Sequence, residues 1–264
     1  MTEENKPDWG PIRGLARRVL ERGDALELSD DTRRLLDEGA REVAIPPQDV
    51  EDALRSVPSA TTLLREIWRR LEGGEERLSD VTYRAYRLRD RGDFKAARQL
   101  MEEALSIEPV PLYRQIAETV LANLTRLEAV AENGHVEADF QPWEQLRVLA
   151  RRVQHGKPLE LSDGLRDFMR QTAPSVAIRE TEAAEALVTA EGAQALLTQM
   201  LERIEDGKQR ITQALSRMTA CREAGDRDGA LQALRDVLTV EIVPTYRQMA
   251  EECLARYDEP LSDW

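Results

Sequence analysis

Leu26-Glu27-Leu28-Ser29-Asp30 and Val110-Pro111-Leu112-Tyr113-Arg114-Gln115 decide the fold, because the chain writes each of them twice. The first returns as Leu159-Glu160-Leu161-Ser162-Asp163, the second as Val243-Pro244-Thr245-Tyr246-Arg247-Gln248. Val43-Ala44-Ile45 and Gly92-Asp93 return as Val176-Ala177-Ile178 and Gly225-Asp226, at the same spacing of 133 residues. All of Gly23–Leu124 can be laid over Gly156–Tyr257 without a gap. A chain of 264 residues has room for one large domain or two ordinary ones, and the duplication decides for two. It also supplies an internal comparison. What both copies keep belongs to the frame, and what only one carries is a poor candidate for an active site common to both.

Within each copy the apolar spacing is helical throughout. Ile12, Ala16, Val19 and Leu20 mark one face of a helix over Trp9–Arg22, repeated by Trp143, Leu146, Ala150 and Val153. Ser29 or Asp30 (Ser162 or Asp163) reads as the N-cap of the next helix, since its oxygen can take a free N–H of the first turn. Val43-Ala44-Ile45 is expected to lie extended against the helices. Pro46-Pro47 breaks the chain, and a short helix covers about Gln48–Ser56. Leu63, Leu64, Ile67, Trp68 and Leu71 mark a deeply packed helix, and Leu78, Val81, Ala85 and Leu88 mark a separate one ending at Gly92-Asp93. Ala97, Leu100, Met101, Ala104 and Leu105 then form the return arm of a hairpin, and Val110-Pro111 restarts a last helix that runs to about Glu132. The hairpin is tetratricopeptide-like but occurs once per copy, so no superhelix follows.

The expected architecture is all-α: two tandem homologous helical-bundle domains, each with that hairpin. The expected layout is a disordered N-terminus (1–8), a first copy (9–132), a hinge (133–141), a second copy (142–257) and a tail (258–264). Aromatic residues at 5% and the lack of Val/Ile/Thr-rich runs argue against a sheet. The net charge of −13 and the lack of a Lys/Arg stripe exclude a nucleic-acid ligand. No apolar run of membrane length appears, and Met1–Asp8 is no signal peptide, so the expected location is the cytoplasm.

Leu15-Ala16-Arg17-Arg18-Val19, the Leu-Glu-Leu-Ser-Asp element, the turn Arg89-x-x-Gly92-Asp93 and Val110-Pro111-x-Tyr113-Arg114 together resemble the DUSAM domain, a bacterial family of unknown function. The resemblance covers roughly Trp9–Leu124 and Trp143–Tyr257. It implies a helical domain and brings no reaction and no ligand.

No reactive constellation recurs in both copies. His135 and His155 have no second ligand at metal spacing. Asp30-Asp31 and Glu102-Glu103 are broken in the other copy, as Asp163-Gly164 and Arg235-Asp236. Cys221 and Cys253 stand opposite Leu88 and Val120, so both are expected to be buried, unpaired core residues. Trp9 and Trp143 are expected to anchor each first helix in the core. The polar set kept twice is Arg89, Glu108, Tyr113, Arg114, Gln115 and Glu118, mirrored by Arg222, Glu241, Tyr246, Arg247, Gln248 and Glu251. Arg114 and Glu118, four apart, suggest an intrahelical ion pair, and Glu108 is expected to cap the last helix or to hold Arg89. The expected role of this set is structural, or a partner face. No catalytic, cofactor or metal residue is expected. The expected function is a non-enzymatic protein–protein interaction or regulatory module, in one version an acidic inhibitor or immunity protein facing a basic partner. The alternative is an enzyme or small-molecule sensor with a pocket between the two domains.

Overall fold

A computed structural model describes residues 7–258. The terminal segments expected at 1–6 and 259–264 lie outside the described residues. Among the described residues every regular element is helical. The chain divides into two compact units, Met1–Arg126 and Leu127–Trp264.

In the first unit, α1 (Gly10–Ala16) continues as a π-helical turn over Arg17–Glu21. α2 (Asp30–Glu42), α3 (Pro47–Ala53), α4 (Val57–Asp90), α5 (Phe94–Ile107) and α6 (Pro111–Asn133) follow. The second copy has α7 (Pro142–Gln154), α8 (Asp163–Thr172), a 3-10 turn (Ala173–Val176), α9 (Glu180–Ala186), α10 (Ala190–Glu223), α11 (Arg227–Val240) and α12 (Pro244–Ala255). α3, α4 and α5 carry over to α9, α10 and α11 with both ends displaced by 133 residues. α6 crosses the unit boundary and is far longer than α12. Its last two turns, with the buried Leu127 and Val130, belong to the second unit.

The caps explain why the helices start where they do. Ser29 Oγ accepts from Thr32 N–H (3.2 Å) and Ser162 Oγ from Leu165 N–H (3.2 Å), so serine rather than the following aspartate is the N-cap. Asp93 and Asp226 cap α5 and α11 in the same way, 3.0 and 2.9 Å from Ala96 N and Gly229 N.

Three expectations are corrected. The two apolar stripes carrying Leu63–Leu71 and Leu78–Leu88 belong to one helix of 34 residues, α4, and its counterpart α10 is equally long. Nothing between the stripes lacks an N–H, and Gly73-Gly74 alone does not stop a helix that is packed along its length. The hairpin is thus α5 folded back on the second half of a helix about 51 Å long. Second, Val43-Ala44-Ile45 is not extended. Ala44 is left-handed (φ +58), as is Ala177 (φ +61), and Ile45 N–H bonds back to Ala40 C=O at 2.8 Å, a Schellman closure made without glycine. Arg70 and Arg203 hold the turn, each donating from Nη1 to two of its carbonyls (Val43 and Ala44, Val176 and Ala177). Third, Cys221 and Cys253 are free but only half-buried, at the margin of the cluster around Met218, Leu234 and Tyr257.

α4 is the spine of the first unit and serves two cores. Its first half packs Ala60, Leu64, Ile67 and Leu71 against α1, α2 and α3, while its second half packs Ala85 against Ala97 and Met101 of α5 and Ala117 and Leu124 of α6. The point where α4 passes from one core to the other is where the shared polar residues gather.

Candidate functional site

Glu108 follows the last turn of α5 and is buried, 7% exposed. Its Oε1 accepts from Val110 N–H (3.0 Å) and its Oε2 from Arg77 Nη2 (3.0 Å). Glu241 repeats this more tightly at 1% exposed. Its Oε1 accepts from Ile242 N–H (2.9 Å) and Val243 N–H (2.7 Å), its Oε2 from Arg210 Nε (2.9 Å). A buried carboxylate needs such partners, and here it satisfies orphan donors at the start of the next helix. Glu108 therefore caps α6, as expected. Its arginine is Arg77, not Arg89, which lies twelve residues further along α4, stacks on Tyr86 (4.6 Å) and bonds Asp90. Arg222 likewise lies over Tyr257 (5.3 Å). Both helix-end arginines thus stack on an aromatic ring at the far end of the long helices.

Tyr113 and Tyr246 fill the same joint. The Tyr113 ring packs directly against Gly74, where a Cβ would stand 2.5 Å from two ring carbons, and its hydroxyl donates to Leu71 C=O (2.9 Å). Tyr246 covers Gly207 in the same way. Trp9 meets Tyr113 edge-on (centroids 5.4 Å) and Trp143 meets Tyr246 at a tilt (5.6 Å). Both indoles are half-buried, with Trp9 Nε1 donating to Glu42 (2.7 Å) and Trp143 Nε1 to Ser175 (2.9 Å). Burial pushes the Tyr113 hydroxyl up to about 12, and the Tyr246 hydroxyl also upward, so neither is a base near neutrality.

Arg114 donates from Nη1 to Leu105 C=O (2.6 Å) and Glu108 C=O (3.1 Å), and Arg247 to Leu238 and Glu241 C=O (both 2.8 Å). Each closes the C-terminus of the preceding helix, where cations are favoured. The pairing expected of Arg114 with Glu118 has its counterpart in Arg247–Glu251, at 3.8 Å and exposed. Gln115, Glu118, Gln248 and Glu251 face outward, and Gln248 bonds Glu252 (2.7 Å).

The twelve residues thus separate into three groups. Glu108, Tyr113, Arg114 and their mates form the joint, Gln115 and Glu118 with theirs stand exposed, and Arg89 and Arg222 lie at the far end of the long helices. Sequence reading missed Gly74, Arg77, Arg70 and Arg33, with their mates Gly207, Arg210, Arg203 and Arg166; Arg33 and Arg166 donate to Leu54 and Leu187 C=O. The signal was present, since all four recur at the 133 spacing and a doubled glycine in mid-helix asks for a close neighbour. Among the described residues no group of three His, Cys, Asp or Glu is arranged to hold a metal, and no helix is long and apolar enough to cross a membrane.

A model of the family described as "Protein of unknown function (DUF2379)" matches residues 7–124 and again 141–257, and the chain belongs to that family, as two tandem copies of its domain. No curated protein and no solved structure matches the chain.

Proposed function

We propose that the chain is a non-enzymatic protein-binding or regulatory module of the cytoplasm, offering an apolar contact at the corner after the hairpin of each copy. One observation carries this. Ile107 at the end of α5 is 70% exposed and its mate Val240 60%; Ile116 on α6 and its mate Met249 are both 39% exposed. Scattered exposed hydrophobics are ordinary on any surface. Two that stay aliphatic and exposed in register in both copies, while Glu102-Glu103 becomes Arg235-Asp236, are kept for contact. The joint beneath them is a support: its Glu, Tyr and Arg side chains meet backbone and each other. The acidic balance of −13 favours a basic partner, and an acidic inhibitor or immunity protein is the concrete version of this reading. The motifs behind the DUSAM resemblance lie inside both matched spans, which supports reading the two family names as one domain.

The test is parallel affinity capture with mass spectrometry from a native host, using wild type and the double variant Ile107→Asp/Val240→Asp. The expected outcome is a specific protein held by wild type and lost by the variant at unchanged melting temperature. An identical captured set would overturn the reading. So would a metabolite that stabilises both proteins with no protein captured by either, which would favour the enzyme or sensor alternative.

A further inference from the structure

The second copy has a groove whose lining differs from the matching positions of the first copy. It lies between α7 and α10, encloses about 610 Å³, and has Val153, Leu197 and Leu201 among its apolar lining. Glu191, Glu202 and Asp206 edge it, Asp206 lying 3.9 Å from Arg210, and among the described residues no Lys or Arg lines it. Glu205 also lines it but is held by Arg147 at 2.9 Å, whereas Glu191 and Glu202 have no cationic partner among the described residues. In the first copy the position of Leu201 is Trp68, which is partly buried and packs against the core formed with α1, α2 and α3. The positions of Glu202 and Asp206 are Arg69 and Gly73, and Thr198 on the same edge is Arg65. The same frame thus carries a tryptophan and two arginines along this edge in one copy, and a leucine, a threonine and two acids in the other.

We propose that this groove docks a basic amphipathic helix of a partner protein. From Glu191 to Asp206 it follows α10 for about 22 Å, the length of four helical turns. A helix laid along it would place apolar side chains at i, i+3, i+4 and i+7 on Val153, Leu197 and Leu201, with Lys or Arg on its flank meeting Glu191, Glu202 and Asp206. This inference rests on the reading of the chain as a protein-binding module, but on a different surface from Ile107 and Val240.

The test is fluorescence anisotropy on the full chain, with a labelled Leu/Lys peptide of about four turns whose leucines follow the helical spacing. The controls are the same composition scrambled and the same peptide with Glu for Lys. Wild type is expected to bind the amphipathic basic peptide only, with affinity falling as salt rises. Leu201→Trp, which installs the first copy's residue, should weaken binding by about tenfold or more. Glu202→Arg sits on the exposed edge, where no core is at stake, and should weaken it and flatten the salt dependence. Binding by Leu201→Trp and Glu202→Arg within about twofold of wild type, or equal binding of the scrambled peptide, would overturn the proposal. Ile107→Asp/Val240→Asp should bind the peptide as wild type does. A partner lost by that double variant but kept by Leu201→Trp would leave the module reading standing and remove this inference alone.

Discussion

The first copy spends three residues, Leu20, Glu21 and Arg22, where the second spends two, Gln154 and His155, and the fold absorbs the difference within one turn. In the first copy the helix widens into a π turn over Arg17–Glu21, with Arg22 N–H reaching Arg17 C=O (3.1 Å), whereas α7 stays α-helical to Gln154. A π turn is how a helix accommodates one extra residue, so both flanks keep their places. Trp9 and Trp143 still meet their tyrosines, and Gly23 and Gly156 still cap with φ of +79 and +77. A second difference behaves alike. Pro174 replaces Arg41 and lacks the N–H an α-helix would use, so α8 ends early in a 3-10 turn; Ala177 nevertheless takes the left-handed turn of Ala44. Departures are absorbed in the first third of each copy, while the joint keeps its partners: each Glu accepts from the N–H that opens the next helix and from an Arg of the long helix, each Tyr covers its Gly, and each Arg closes two carbonyls. The frame is held at the joint, and surfaces such as the α7–α10 groove are free to diverge.

The largest expected effect is loss of the aromatic at the joint. Tyr113→Ala and Tyr246→Ala should each cost about 3–5 kcal/mol in the copy that carries them, read by chemical denaturation. A loss in one copy that is under about 1 kcal/mol would break the equivalence. Next come the paired glycines. Gly74→Ala must displace the Tyr113 ring and should destabilise by about 1–3 kcal/mol, although alanine is the better helix former. At Gly73 a methyl would stand 3.1 Å from Arg77 Nη1, a partly exposed guanidinium that can shift by tenths of an ångström while its Nη2 keeps Glu108, so Gly73→Ala should stabilise by about 0.5–1 kcal/mol. Effects of the same sign at both positions would show that the ring does not hold the joint.

The smallest effect separates the copies by pH. Hydrogen bonds from Arg69, then Arg70, hold the Glu66 carboxyl down to about 2, below its ordinary 4.5, against the opposing effect of burial. The second copy has Gln199 there. Because the folded-state value is depressed, this stabilisation is present above pH 4.5 and fades as pH falls toward 2. Glu66 is a third exposed and Arg69 two-thirds, so solvent screening leaves about 1 kcal/mol or less. Glu66→Gln should remove that acid sensitivity and leave stability below pH 2 unchanged; an unaltered acid profile would contradict it.

Much of this frame was legible from the chain alone, because apolar periodicity, Ser and Asp caps and the doubling at 133 each report local physics. The continuity of α4 was not legible, since a paired glycine at the crossing of two cores looks like a break until Tyr113 is seen lying on it. The turn at Ala44 was hidden because left-handed backbone is expected of glycine, and it depends on carbonyl bonds from Arg70, a residue 26 positions away. Glu108 was read correctly as a cap, but the partner arginine was misassigned because a 34-residue helix carries Arg77 to the joint and Arg89 past it. The groove of the second copy was invisible for a further reason: its lining comes from two helices, α7 and α10, whose packing the sequence does not state.

The central claim is that the doubled polar set is a structural joint rather than a binding face, and Arg247→Ala tests it most directly. Arg247 Nη1 closes two carbonyls at the end of α11, so its removal should cost about 1–3 kcal/mol and lower the melting temperature of that copy by several degrees, roughly 4–8 °C per kcal/mol. Measured alongside, capture of the wild-type partner at a temperature where both proteins are folded should be unchanged. An unmoved melting temperature together with a lost partner would contradict the account and place the functional surface on α12.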